Sequence, residues 1–264
     1  MVPLAAHIAL LAAIAGCYRP SLTTGAPCQS NVDCPLEQLC DLGASPPSCN
    51  TQLSDAAPPS TPRLVQQATA GATAGQPSMT LPSPPIAGNV LVVAAGAGQA
   101  PLTGVSGGGV TLWSRATASV VFCNEEIWYG TSDGSSPTVT LLLPDNKDAI
   151  FGSVTEWSGL AGATMPDAAT STSQRSSPAT AGSITTHHTG DLLVFAASTG
   201  APVTWDTASP GEWTALEPVD GGSDACEQAA WYRVVTTTGS YAPSVNESGA
   251  SPWDAAVAAF VAAP

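Results

Sequence analysis

The chain has 264 residues, 20 of them acidic and 6 basic, for a formal net charge of -14, and Lys147 is its sole lysine. Such a balance offers no basic stripe to a phosphate backbone and excludes nucleic-acid binding as the main task. About 200 residues follow the short modules at the front, enough for one large sandwich or two small domains with a real core.

Residues 1–16, MVPLAAHIALLAAIAG, form an apolar run broken only by His7, with small residues just ahead of Cys17. A membrane span needs about 20 apolar residues, and this run stops short at Tyr18, Arg19 and Pro20. It reads as a processing segment cut before Cys17. Ile14-Ala15-Gly16-Cys17 resembles the lipobox of bacterial lipoproteins: an aliphatic residue, a small one, Gly or Ala, then Cys. The resemblance implies that the Cys17 thiol takes a diacylglycerol and that the freed amine takes a fatty acyl chain such as palmitate. Several chains together anchor stably where one is marginal. Tyr18 in place of Asp further implies delivery to the outer membrane or cell surface. No Lys or Arg precedes Arg19, a departure from the positive n-region of such leaders that points to a start codon upstream; the alternative reading is an ordinary secretory leader with Cys17 a chance residue.

With Cys17 assigned to lipid, six cysteines remain, an even number that predicts disulfides in an exported chain. Cys28, Cys34, Cys40 and Cys49 crowd into a stretch too short to bury a core. Two bridges are expected to hold it, in any of three connectivities. The pattern C-x5-C-P-x4-C-D-x7-C resembles short Cys-rich repeats near the front of exported bacterial proteins, which implies a spacer over residues 17–50. Zinc is the competing reading, but no CxxC pair or nearby His supports it.

Residues 51–62 have the Pro, Ser and Thr content of an extended linker. From Arg63 to Pro264, short runs rich in Val, Ile, Thr and aromatics alternate with Gly, Pro, Ser and Asp clusters, the pattern of an all-β domain. The 25 Gly and 24 Pro supply turns and oppose helices. Within it the sequence repeats. Gly88-Asn89-Val90-Leu91-Val92-Val93 answers Gly190-Asp191-Leu192-Leu193-Val194-Phe195. Trp113 answers Trp213, Cys123 answers Cys226, Trp128-Tyr129 answers Trp231-Tyr232, and Val154 and Trp157 answer Val257 and Phe260. One sandwich built from two repeat-related halves is therefore expected. Two independent domains are less expected, because the lead segment 63–69 has no clear counterpart in the second half. The arrangement resembles jelly-roll-like sandwiches of secreted and phage-associated bacterial proteins, which implies a fold and no chemistry. Cys123 and Cys226 are candidates for a bridge between the halves.

Candidate chemistry is sparse. Gly104-Val105-Ser106-Gly107-Gly108 matches G-x-S-x-G, but a strand rather than a helix is expected after it. His187 and His188 are adjacent, so in an extended chain they face opposite sides and cannot share a metal; a turn is the expected role. Adjacent Glu125 and Glu126 meet the same objection as a catalytic pair. Glu156 reads as a hydrogen-bonded structural glutamate. Six carboxylates between Asp206 and Glu227 form a solvated acidic rim, or, through Asp220 and Asp224, a structural calcium site. No other cofactor is expected. Six tryptophans fall at paired, core positions. Trp205 does not, and with Asp220 and Asp224 it is the candidate contact for a glycan or a surface protein. The sequence thus leads us to expect a non-enzymatic, membrane-anchored lipoprotein with a structural or adhesive sandwich. A carbohydrate-binding module is the alternative, and a hydrolase comes last.

Overall fold

The computed structural model describes residues 27–29, 34, 38–41, 46–51, 60–72, 74–98, 100–144, 149–162, 166–201, 203–219, 226–249 and 251–264. The leader 1–16, the lipobox with Cys17, Asp220 and Asp224 lie outside the described residues. The chain divides into two compact units, Met1–Ala56 and Ala57–Pro264.

In the first unit, β1 (Gln38–Asp41) and β2 (Ser48–Thr51) pair antiparallel, with Cys40 opposite Cys49. An isolated two-stranded ribbon is marginal in water. Two disulfides hold it: Cys28–Cys40 and Cys34–Cys49, with Cα atoms 5.8 and 5.5 Å apart. Each closes a short loop and stabilises by about 3 kcal/mol. These oxidised cysteines leave no thiolate for zinc among the described residues of the module.

The second unit is all-β among the described residues. Its first half runs β3 (Arg63–Ala72), β4 (Ser78–Thr80), β5 (Val90–Ala97), β6 (Gly104–Gly107), β7 (Ser114–Ser119), β8 (Glu125–Thr131), β9 (Thr138–Leu142) and β10 (Ile150–Ser158). The second half runs β11 (Ala168–Gln174), β12 (Ala179–Thr180), β13 (Ile184–Thr186), β14 (Leu192–Thr199), β15 (Thr214–Ala215), β16 (Glu227–Val234), β17 (Gly239–Tyr241), β18 (Ser244–Val245) and β19 (Trp253–Phe260). Two five-stranded antiparallel sheets result, ordered β3-β10-β5-β8-β7 and β11-β19-β14-β16-β15. Position by position the orders coincide. β11 fills the place of the lead strand β3, which sequence comparison leaves without a partner. Its Ser- and Thr-rich run, AATSTSQ, lies at a sheet edge and is only half-buried, so packing there asks little of side-chain identity.

A smaller sheet covers one face of each large one. In the first half it is β4-β9-β6. In the second it is β12-β18, widened by bridges Trp205↔Glu247 and Ser209↔Ser244, with β13-β17 beside it. The other faces of the large sheets pack on each other, giving four layers. This explains why β5, β14 and β19 are buried along their whole length. Antiparallel strands ordinarily wet one face and alternate in polarity. Here alternation sorts residues between two cores instead. Leu91, Val93 and Ala95 face the first half's own core, Leu193, Phe195 and Ala197 face the second's, and Val90, Val92, Leu192 and Val194 meet between the halves.

The central layer is close to isologous, each half offering the same patch to the other. Tyr129 meets Phe260 edge-on at 5.6 Å, and the corresponding pair Trp157 and Tyr232 meets at 4.8 Å. The Cys123–Cys226 disulfide joins corresponding positions of the two halves, spanning 103 residues with Cα atoms 6.0 Å apart. Beside it, Gln228 Nε2 donates to Glu125 Oε1 at 2.6 Å, again across equivalent positions.

Candidate functional site

Trp205 is fixed by its backbone. The strand-like segment 203–207 pairs with 246–248, through Asp206 N to the Asn246 carbonyl at 3.0 Å and Ser248 N to the Thr204 carbonyl at 3.0 Å. Thr204 N also donates to Ser248 Oγ at 2.9 Å. The indole is half-buried rather than an open platform, and it meets Trp231 edge-on at 6.2 Å. Trp231 stacks on Phe195 at 5.4 Å, and Phe195 meets Trp213 edge-on at 5.9 Å. An aromatic ladder therefore runs from the second half's core to the surface, with Trp205 as its outermost rung.

A cleft of about 710 Å³ opens at that rung, lined by Trp205, Trp231, Leu216, Val219, Glu227 and Gln228 among others. Its size suits a ligand of a few hundred daltons. The indole Nε1 of Trp205 is buried and has no acceptor. Glu227 Oε2 accepts Val203 N at 2.9 Å, which ties the 203 segment to β16. An apolar wall with the carboxylates of Asp206 and Glu227 in its lining fits a neutral polyhydroxylated molecule, whose C–H faces stack on indole while its hydroxyls take the polar groups.

The other singled-out residues separate into structural roles. Ser106 lies inside β6 opposite Thr140. The glycines after it, Gly107 to Gly109, all take positive φ, a tight turn that only glycine adopts freely. Glu126 and Glu125 face opposite sides of β8, as adjacent strand residues must. Glu126 accepts Leu102 N at 2.7 Å, Arg115 Nη1 at 3.3 Å and Trp128 Nε1 at 3.0 Å in the first half's core. Burial raises its pKa, against those three donors. Burial pushes Glu125 further, well above the usual carboxylate range, and the Gln228 amide opposes only part of this. Glu156 accepts Ile86 N at 2.8 Å, Asn89 Nδ2 at 2.6 Å and Gln66 Nε2 at 2.5 Å.

Asp254 was not singled out by sequence reasoning, yet it is wholly buried. It accepts Ser119 Oγ at 2.6 Å and the amides of Val121, Phe122 and Cys123 at 3.2, 2.7 and 2.6 Å. Its position in the first half is taken by Phe151, so no repeat signal marked it.

His187 and His188 lead into a turn, as expected, but their rings are not held apart. The backbone turns from His188 to Gly190, and both Nδ1 atoms converge on Asp167 Oδ1, at 3.2 and 3.3 Å. Asp191, wholly buried, completes the cluster, and neither of its oxygens has a hydrogen-bond partner. Its pKa is pushed up to about 7 by burial and by the facing Asp167 carboxylate, with His188 opposing. Asp167 is itself lowered: burial acts upward, but the His187 amide and imidazole and the Asp191 carboxyl outweigh it.

No known protein family, curated protein or solved structure matches the chain.

Proposed function

We propose that the chain is an exported lipoprotein, tethered through acylated Cys17 to the outer membrane or cell surface. The Cys-rich module spaces a non-enzymatic, structural or adhesive double sandwich away from the bilayer. The observation that carries the location is oxidation. Three disulfides join Cys28, Cys34, Cys40, Cys49, Cys123 and Cys226 in two separate units, and such bonds persist outside the reducing cytosol. The lipobox supplies the anchor. A fatty-acid label should enter the wild-type protein and not Cys17→Ala, and the variant should leave the membrane fraction. Equal membrane retention of both would defeat the proposal.

The Trp205 cleft favours a second reading, capture of extracellular polysaccharide. Because the ring packs on Trp231, the suitable variant is Trp205→Phe, which keeps an aromatic in place and removes most of the stacking face. Glycan-array binding by the wild type that Trp205→Phe loses supports this reading. A wild type that binds no glycan leaves the adhesive or structural role alone.

A further inference from the structure

The two halves treat one position of the fold in opposite ways. In the first half, where the chain turns into β5, Gly88 N bonds to the Ser132 carbonyl and the next residue is Asn89. In the second, Gly190 N bonds to the Val235 carbonyl in the same way, and the next residue is Asp191. The first half fills its site with matched partners: the single carboxylate of Glu156 receives Asn89 Nδ2, Gln66 Nε2 and Ile86 N. In the second half the residue in line with Glu156 is Ala259. Asn89 is replaced by Asp191, Ile86 by His188, and a second acid, Asp167, enters from the segment before β11, its amide held by the Ala259 carbonyl at 2.8 Å. The side-chain donor Asn89 has given way to a carboxylate, and an apolar side chain to an imidazole.

Two carboxylates face each other, neither oxygen of Asp191 has a hydrogen bond of ordinary geometry, and only the exposed imidazoles of His187 and His188 stand against their charge. Glu126, Glu156 and Asp254 are buried as deeply, yet each has at least three donors. Asp191 has none. We infer that Asp167, His188 and Asp191 bind a divalent transition-metal cation of the zinc class. One ligand atom from each lies within 4.8 Å of the others, and the His188 Nδ1 to Asp167 Oδ1 separation is 3.3 Å. Tetrahedral zinc bonds of about 2.0–2.2 Å place neighbouring ligands about 3.4 Å apart, and a mixed nitrogen and oxygen set suits zinc better than calcium or magnesium. His188 is more than half exposed, so the ion has a way in, and solvent supplies the fourth ligand. The ion ties the segment before β11 to the turn into β14. The Cys28, Cys34 and Cys49 cluster is no rival, because these sulfurs are oxidised.

Zn²⁺ is titrated into chelator-treated full-length protein in detergent, under non-reducing conditions, with calorimetry and thermal melting as readouts. The wild type should bind one ion, and a hundredfold excess over Kd should raise Tm by about 5 °C or more. Asp191→Asn installs the residue the first half carries here, so the variant should melt no lower than wild type without metal while losing about 100-fold or more in affinity. Two results overturn the assignment. No saturable binding by the wild type up to about 1 mM means that protons alone neutralise the two acids. Undiminished binding by Asp191→Asn means that the exposed His187 and His188 hold zinc adventitiously.

Discussion

Replacing Asp254 tests how the two halves are joined. Its carboxylate comes from β19 and serves residues 119–123 of the opposite half. Asp254→Ala leaves the Ser119 hydroxyl and the Cys123 amide buried with no acceptor, and strips the Val121 and Phe122 amides, which lie nearer solvent. A fully buried orphan costs about 1–3 kcal/mol, and an amide that regains water costs less, so the total is about 3–5 kcal/mol. Against the 5–15 kcal/mol that typically holds a whole domain together, that is a large fraction. The neighbouring Cys123–Cys226 bridge closes a 103-residue loop, for which chain entropy gives about 4–5 kcal/mol. Since Cys123 belongs to both devices, their losses should not add, and a coupling of about 1 kcal/mol or more is expected. Equilibrium denaturant unfolding, followed by tryptophan fluorescence, measures all four corners: wild type, Asp254→Ala, the Cys123→Ser/Cys226→Ser pair, and the triple variant. A loss below about 1 kcal/mol for Asp254→Ala would refute the reasoning, because water would then serve those amides as well as the carboxylate does.

The remaining predictions concern Glu125, Gly108 and Trp205. Glu125 holds its proton to higher pH when folded than when unfolded, so its cost to stability is nil below about pH 4 and grows as pH rises towards the folded pKa, by at most about 1.4 kcal/mol per pH unit. Glu125→Gln should therefore stabilise the protein at pH 7–8 more than at about pH 4, and thermal melts at the two pH values check this; equal shifts would contradict it. Gly108→Ala forces a side chain into a left-handed backbone, against Leu91 and Val139, and should cost about 1–3 kcal/mol by denaturant unfolding. Trp205→Ala removes the outer rung of the aromatic ladder and should lower stability by about 1–2 kcal/mol, well short of a fully buried tryptophan.

The strands readable from sequence are those whose residues are doubly constrained. β5, β14, β8 and β16 face a core on each side, so both faces must be apolar or aromatic, and the repeated GNVLVV and GDLLVF runs and the WY pairs record that demand. β11 has only one neighbour in its sheet and tolerates Ser and Thr, which hid it. The Asp167, His188 and Asp191 cluster was hidden for a different reason. Asp167 lies 20 residues before His187, and a turn at 187–188 was legible, but not that it aims both imidazoles at one carboxylate from another segment. Trp205 was legible as the unpaired tryptophan, but not its contact with Trp231, because the aromatic ladder runs across strands rather than along one.

The buried polar residues have a pattern that the apolar core does not. Glu126, Glu156, Thr155 and Ser153 stand where the second half has Ala229, Ala259, Ala258 and Ala256, and Asp254 stands where the first has Phe151. A fold carried twice with and without these groups does not require them for its own sake. Between the halves, their effect is to distinguish unlike pairing from like. Two copies of the first half would bring Glu125 against Glu125, two buried acids with no donor between them, and would leave the amides at 121–123 facing Phe151. Two copies of the second would bury two Asp254 carboxylates without the 119–123 segment that serves them. Only the mixed pair gives Glu125 the Gln228 amide and Asp254 its four donors. Apolar burial, which is nearly the same on both sides, accounts for why the large sheets stack; the unshared polar groups account for why each half stacks on the other and not on a copy of itself.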